Sequence, residues 1–547
     1  MSLAPVEEWM EEQGWPRLLE DREWPWLLTP LLVGSVVVVA YLLTHPYPAY
    51  GAGLYLRMAE RVVENGYRLP THVPGYTDGG VPFAYPPLVF YLGALAMDVG
   101  GVDPLTLSRY VPAIVTVGYL VPYYFLSREL LGDRAEASLA TTLLAVAAPT
   151  LQWHLSAGGF VRTPAFLLAV TGCYAGVRLF RSGEVRWLVL GTLLFGLTVL
   201  THPVYTVFFG VSYLLFYAAF DRTLRGLLLG AVVAGGGLAL AAPWWLQILG
   251  THGPDAFTAA AGTHSGLFGG VHRLVDQFGY TLVTDPPLPV FFVVAYAGVA
   301  QFLLERRFLL PSWLVVPAVV IGKERFQFVA GAMMGAVFLY EGFRSITRRR
   351  FPASESRRAA HVLLAGAILV AVAVGTIYAA GAIPWAHAGD SSQPQFVDAA
   401  DREAMSWVAN GTEPDAAFVV LGDAAEWFPL FADRTILVGP WGVEWTTPER
   451  YEHQLSLYRT VSECDSARCL TAALSSHGVD PDYVYVPRGE YTVRGFEENG
   501  TRELHRTLRR SGAYVRVFEN EGVVVYRQAD DLRPTGASVS TAHAPDQ

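Results

Sequence analysis

The sequence predicts a polytopic α-helical membrane protein that carries a C-terminal extracytoplasmic α/β domain. Two observations lead there. The first is apolarity: 52% of the 547 residues are hydrophobic and the mean hydropathy is +0.31. Apolar runs of roughly 17–25 residues, the length demanded by a hydrocarbon core about 30 Å thick, recur from Trp26 to Ala382. The second is a change of character beyond them. Residues 384–547 hold 25 acidic and 14 basic residues, a net of −11 in a chain of net −10, so the preceding part is nearly neutral.

The candidate spans are 27–44, 109–128, 136–152, 160–178, 186–201, 203–220, 225–248, 287–304, 308–322, 326–343 and 360–383. Arginines sort the loops. "SRELLGDR", "RLFRSGEVR", "DRTLR", "LERR" and "RSITRRRFPASESRR" are assigned to the cytoplasm, so the last span delivers the C-terminal region outside. The apolar stretch 87–100 is short for a crossing, and reading it as re-entrant or interfacial keeps the alternation, with about 11 spans in all. Residues 1–26 are acidic with no basic region ahead of the first span, which argues for a cytoplasmic segment and a retained anchor. The membrane domain is thus 27–383, with a first outer loop at 45–108.

In the outer region, 384–528, "AAFVVLG", "RTILVG", "DYVYVP" and "EGVVVYR" read as strands between helical stretches such as "DREAMSWVAN" and "TRELHRTLRRSG". The tail 529–547 has the composition of a disordered segment. Cys464 and Cys469 are spaced for a small disulfide suited to an oxidising face; a metal pair is the other reading. Cys173 lies in a span as a small hydrophobe. Asn410 and Asn499 head "NGT" acceptor patterns. Trp427, Trp441 and Trp445 either stack on sugars or pack the domain.

The outer loops hold the candidate chemistry. "GLYLRMAERVVENG" (53–66) is an amphipathic helix with Arg57, Glu60, Arg61 and Glu64 on one face, stopped by "NG". "YTDGGVPFAYPPL" (76–88) follows, stiffened by Pro82, Pro86 and Pro87. Its acid, Asp78, either caps its own turn or acts as a base with a raised pKa. Tyr85 in the same stretch suits an interfacial or sugar-stacking position. Arg162, His202, Lys323 and Arg325 are cations at span ends on one predicted side, where they can hold a lipid-linked phosphate or simply snorkel. Loop 249–286 adds His252, Asp255, His264, His272, Arg273, Asp276 and Asp285. No histidine spacing suggests a metal, and no metal or cofactor is expected.

"LYLRMAERVVENG", "AYPPL" and "RYVPAIVTVGYLVPYYFLSRELLGDRAEASLATTLLAVAAPTLQWHLSAGG" in this order resemble the GT-C glycosyltransferases, over roughly residues 27–345. That superfamily includes the dolichyl-phosphate-mannose-type mannosyltransferases and the archaeal oligosaccharyltransferases. The resemblance implies a polyprenyl-phosphate sugar bound from the outer leaflet and an acid in the first outer loop that activates the acceptor or coordinates a metal. Two family features are absent. Gly51 and Ala52 stand where an Asp precedes "YLRMAE", and "GGFVRTP" replaces an Asp-x-Asp pair. The resemblance therefore implies a metal-independent, inverting transferase acting on a glycan, lipid or protein acceptor. Asp78 is its acceptor base; Arg162, Lys323 and Arg325 hold the donor phosphate; His202 and Tyr85 line the pocket. A non-catalytic subunit of the same fold and a membrane transporter are the alternatives. The partners expected are the bilayer, the lipid-linked sugar and the acceptor, and not nucleic acid.

Overall fold

The computed structural model describes residues 23–263, 270, 272–273, 275, 289–382, 391–498 and 501–529. It divides into two compact units, one of residues 1–71 and 83–395, the other of residues 72–82 and 396–547.

The first unit is helical. Its elements are α1 (Trp24–Thr44), α2 (Gly53–Glu64), α3 (Leu88–Asp98), α4 (Pro104–Gly118), α5 (Leu120–Leu131), α6 (Arg134–Val146), α7 (Ala148–His154), α8 (Gly159–Ser182), α9 (Val185–Val199), α10 (Pro203–Phe220), α11 (Leu224–Leu240), α12 (Ala242–His252), α13 (Asp255–Thr263), α14 (Pro289–Leu304), α15 (Leu309–Val320), α16 (Glu324–Arg350) and α17 (Ala353–Ala379). Local signals set many of the ends. Asp103, Asp133 and Thr223 cap α4, α6 and α11 by accepting first-turn amides, while Gly132 and Gly183 end α5 and α8 in the left-handed conformation. Helices α8 and α16 form the buried centre. There the backbones of Gly172 and Gly176 lie against the rings of Phe209 and Tyr213 on α10, so that a Cβ at either glycine would collide with them. Around that centre, Leu32 (64% exposed), Leu43 (79%) and Leu369 (69%) face outward. Apolar surface on this scale suits lipid rather than water.

Six helices among the described residues are long and apolar enough to cross a membrane: α1, α4–α5 as one, α8, α10, α16 and the Arg358–Ala379 part of α17. The pair α11–α12, bent by 60°, makes a seventh if it counts as one span. The predicted spans all fall on helices, yet about eleven crossings are not reached by length among the described residues, because α6, α9, α14 and α15 have 13, 15, 16 and 12 residues. Stretch 87–100 forms the 11-residue α3. In α2, Arg57 pairs with Glu60 and Glu64, and Arg61 with Glu64, while Leu54, Met58 and Val62 are buried.

The second unit is an α/β layer. It contains β1 (His72–Val73), β2 (Val81–Pro82), α18 (Ala399–Gly411), β3 (Ala417–Val420), α19 (Phe428–Ala432), β4 (Thr435–Ile436), α20 (Pro448–Ser462), α21 (Ala467–Ser476), β5 (Tyr483–Pro487), β6 (Tyr491–Val493), β7 (Phe496–Glu498), α22 (Thr501–Arg510), β8 (Tyr514–Glu519) and β9 (Val523–Gln528). The main sheet has the order β4-β3-β5-β9-β8, parallel across its first three strands and antiparallel beyond. The continuous β-branched and aromatic runs of β3 and β5 fit central parallel strands.

Segment 72–82, which the sequence assigns to an outer loop of the membrane domain, belongs to this second unit. Its strands pair with each other, and Tyr76 forms a parallel bridge with Ile436. The Ile436 amide donates to Gly75 O at 2.9 Å, and the Tyr76 hydroxyl to Glu426 O at 2.7 Å. Gly442, at φ 81°, leaves room for Val81, which an added Cβ would approach to 2.5 Å. Cys464 and Cys469 form a disulfide with Cα atoms 5.6 Å apart, and Cys173 is a buried free thiol. Trp427 and Trp445 are core residues. The tail from residue 530 and Asn499 lie outside the described residues.

At the start of α18, Asp398 and Asp401 form a capping box, and the Tyr485 hydroxyl donates to Asp401 at 2.7 Å. Burial, with the Asp398 charge adding to it and the Tyr485 hydrogen bond opposing, pushes the Asp401 carboxyl up to about 7. A raised folded-state pKa means that stability is present below the unfolded value and lost as pH rises through about 7. The protein is therefore expected to melt lower at pH 8 than at pH 5, with a smaller difference in Asp401→Asn. Equal pH dependence of Tm in the two chains would refute this.

Candidate functional site

Three helices of the first unit start with basic side chains. Arg162 lies on the first turn of α8, and His202 is the N-cap of α10, its Nδ1 accepting the Val204 amide at 3.3 Å. Lys323 precedes α16 and Arg325 is on its first turn. Each helix adds unpaired N–H groups and positive dipole at that end, which disfavours further cations and favours an anion.

Aromatic rings join these ends. Phe326 packs against Tyr205 (4.9 Å between centroids) and Phe208 (4.8 Å), which fixes α16 against α10. Arg325, 5% exposed, lies over the Tyr205 ring at 5.5 Å and the Phe326 ring at 5.1 Å. Arg162 lies over Trp153 at 5.1 Å. The buried His154 ring bonds the Tyr205 hydroxyl through Nε2 at 2.8 Å and faces the Tyr119 hydroxyl at 3.4 Å, and both guanidinium groups are within its electrostatic range. Tyr85 stands edge-on to His202 at 5.7 Å and near Tyr55 at 5.2 Å. Burial raises the Tyr85 phenol well above its usual range, so it is a neutral hydrogen-bonding group.

Among the described residues no carboxylate pairs with Arg162, Lys323 or Arg325, and the buried Nε of Arg325 has no hydrogen-bond partner. Burial lowers the pKa of Lys323, with Arg325, Arg273 and Arg162 acting in the same direction against the opposing Glu324. A buried cation such as Arg325, flanked by half-buried ones and paired with no carboxylate among the described residues, is costly alone and is repaid by a bound anion. Its chemistry is that of holding a phosphate and stabilising charge on a departing phosphate oxygen.

The structure thus brings together Arg162, His202, Lys323, Arg325 and Tyr85. Sequence reading missed His154, Tyr205, Tyr119 and Trp153. "LQWHL" and "HPVY" border the span ends that carry Arg162 and His202, but which of their rings meet depends on how α7, α8 and α10 pack. Asp78 belongs to the other unit. It is an exposed residue of the second unit, in a turn with Thr77, Gly79 and Gly80 at φ 57°, 80° and 76°. Asp276, Asp285 and His264 lie outside the described residues. Among the described residues no three His, Cys, Asp or Glu side chains gather as metal ligands.

No protein-family model and no curated protein sequence matches the chain. Solved structures do. The archaeal oligosaccharyltransferase AglB from Archaeoglobus fulgidus, in complex with an inhibitory peptide and a dolichol-phosphate, aligns over 84% of this chain and 69% of its own at 16% identity, with a TM-score of 0.55. An Archaeoglobus fulgidus oligosaccharyltransferase tethered to an acceptor peptide containing the NVT sequon aligns over the same shares at 15% identity and a TM-score of 0.52. ArnT from Cupriavidus metallidurans, bound to undecaprenyl phosphate, aligns over 91% of this chain and 98% of its own at 14% identity and a TM-score of 0.49. The chain shares the fold of these archaeal oligosaccharyltransferase structures.

Proposed function

We propose that this protein is a membrane glycosyltransferase that takes a sugar from a polyprenyl-phosphate carrier and inverts it onto a glycan, lipid or protein acceptor at the outer face, without a metal. One observation carries the reading: the cations Arg162, Lys323 and Arg325 at neighbouring helix starts, paired with no carboxylate among the described residues, in a fold shared with AglB, which was solved with a dolichol-phosphate. In this reading the three cations bind the donor phosphate and stabilise it as leaving group, and His202 and Tyr85 orient it. Asp78 accepts the proton of the acceptor hydroxyl or amide. The C-terminal unit is extracytoplasmic, and the sugar is a hexose.

The test is transfer from radiolabelled polyprenyl-phosphate hexoses in membranes, with and without EDTA, beside Asp78→Asn. The expected result is EDTA-resistant transfer that falls about 10²–10⁴-fold in the variant, the usual contribution of a general base. Transfer that EDTA abolishes would overturn the metal-independent mechanism; transfer unchanged in Asp78→Asn would remove Asp78 as base. Gly51 and Ala52, where the resemblance expects an acid, favour a second reading as a non-catalytic subunit. Donor binding without turnover under any condition would select it.

A further inference from the structure

The main sheet of the second unit reverses its winding inside its parallel part. From β3 the chain passes to β4 on one side and then crosses to β5 on the other, in the order β4-β3-β5. Loops leaving the carboxyl ends of β3 and β5 therefore diverge, and in open α/β sheets such a point is where ligands bind.

The residues delivered there are not those of a plain structural edge. Asp423 follows β3, Trp441 and Glu444 follow β4, and Tyr491 and Arg494 follow β5. Contacts gather them. The Asp423 carboxylate accepts the amides of Arg494 (2.9 Å) and Gly495 (2.7 Å) and the Tyr458 hydroxyl (2.7 Å), tying the β3 loop to the β6–β7 turn. Trp441 is half-buried and stands edge-on to Tyr458 at 5.1 Å, unlike the fully packed Trp427 and Trp445. Two groups are left partly unsatisfied among the described residues, although the Glu444 carboxyl accepts its own amide and that of Gly442. Glu444 Oε2 is buried with no hydrogen bond, and Arg494, exposed and within electrostatic range of Glu444, forms no ion pair among the described residues. A buried carboxylate oxygen left unpaired costs about 1–3 kcal/mol or more. Burial pushes the Glu444 carboxyl up to about 7.

We propose that this carboxyl edge is a saccharide-binding crevice that takes a hexopyranose ring of the acceptor. Glu444 accepts a ring hydroxyl, Arg494 donates to another, and Trp441 covers the apolar face of the sugar. A half-buried indole in the same loop cluster as one unfilled carboxylate oxygen and one guanidinium outside any ion pair among the described residues matches a pyranose, which has C–H faces and equatorial hydroxyls. A peptide would instead use the backbone groups of a sheet edge, and a phosphate would be repelled by Glu444. The glycosyl-transfer reading enters only in naming the sugar as acceptor.

The test is saturation-transfer NMR on the full-length protein in a detergent without a sugar headgroup. The probes are methyl α-mannopyranoside, methyl β-glucopyranoside and methyl β-galactopyranoside, with sorbitol as the open-chain control. At least one pyranoside is expected to receive saturation at its ring C–H protons and sorbitol is not. Glu444→Gln, which keeps the shape, is expected to weaken binding about tenfold, the loss of one charge-assisted hydrogen bond. Trp441→Ala removes the signal, and Glu449→Gln on the exposed first turn of α20 leaves it unchanged. No saturation of any pyranoside, equal saturation of sorbitol, or full binding by Glu444→Gln would overturn the proposal. Should Trp441→Ala fail to fold, the isosteric Glu444→Gln decides. Saccharide binding retained in a protein that transfers no sugar would count against the cation pocket as an active site and leave this crevice standing.

Discussion

Replacing Arg325 by Gln is expected to lower kcat/KM for the lipid-linked donor about 10²–10³-fold, roughly 2.7–4 kcal/mol of transition-state stabilisation, and at the same time to raise the Tm of the unliganded protein. The two effects share a cause. Arg325 is 5% exposed, stacked on Tyr205 and Phe326, and has no carboxylate partner among the described residues. A charge held this way costs several kcal/mol when nothing compensates it, and a neutral side chain relieves that cost. Only an anion in the site gives the cost a purpose, which is the trade between stability and function seen at binding sites. Polyprenyl phosphate added to the native chain is accordingly expected to raise its Tm, by about 2.7 kcal/mol of stability at a hundredfold excess over Kd, and to do much less for Arg325→Gln. Parallel changes, smaller because Arg162 and Lys323 are less buried, are expected for Arg162→Gln and Lys323→Gln. Arg325→Lys is not a rescue, since an ammonium lacks the planar fork and stacking face. A lower Tm in Arg325→Gln, with loss of activity that tracks loss of folded protein, would make Arg325 a structural residue and remove the main support for a phosphate pocket.

The reach of sequence reading here follows from the range of each interaction. Apolar periodicity and caps are local, so the spans landed on helices and α2 appeared with its charged face and its "NG" stop. Cations at span ends were equally visible, because an Arg, His or Lys interrupting an apolar run stands out whatever it packs against. β8 was missed because it is an edge strand whose Val515 is exposed, without alternation to mark it. β6 and β7 are three residues each and owe their existence to the Arg494–Gly495 turn, at φ 57° and 85°. The placement of residues 72–82 rests on a bridge between Tyr76 and Ile436, some 360 positions apart. No local pattern carries a pairing at that separation, so the sequence assigns Asp78 to a loop of the membrane domain, whereas its segment is bridged to β4 of the other unit. The His154–Tyr205 bond has the same origin: both residues are ordinary in sequence and become a pair through helix packing.

Removing the Asp423 carboxylate is expected to be the most damaging single change in the second unit. Asp423 is 1% exposed and is the only acceptor shown for three donors at once: the amides of Arg494 and Gly495 and the hydroxyl of Tyr458. The turn amides project toward it because both turn residues have positive φ, a conformation that Gly495 adopts freely and Arg494 does not. Asp423→Ala leaves all three donors buried or half-buried with nothing to accept them, a loss of about 3–5 kcal/mol. Asp423→Asn is milder, because its one oxygen still serves part of the set while its amide faces an N–H. Hydrogen exchange on the full chain distinguishes this from general loosening. Peptides across residues 488–498 are expected to exchange much faster in Asp423→Ala, while those across β3, β5 and β9 keep most of their protection, because the sheet's own ladder does not pass through Asp423. Uniformly faster exchange would mean that the carboxylate supports the whole sheet, and unchanged exchange at 488–498 would mean that the β6–β7 turn stands without it. The outcome bears on the saccharide crevice as well, since Arg494 can face Glu444 only while Asp423 holds the turn; a freed turn with undiminished pyranoside binding would take Arg494 out of that site.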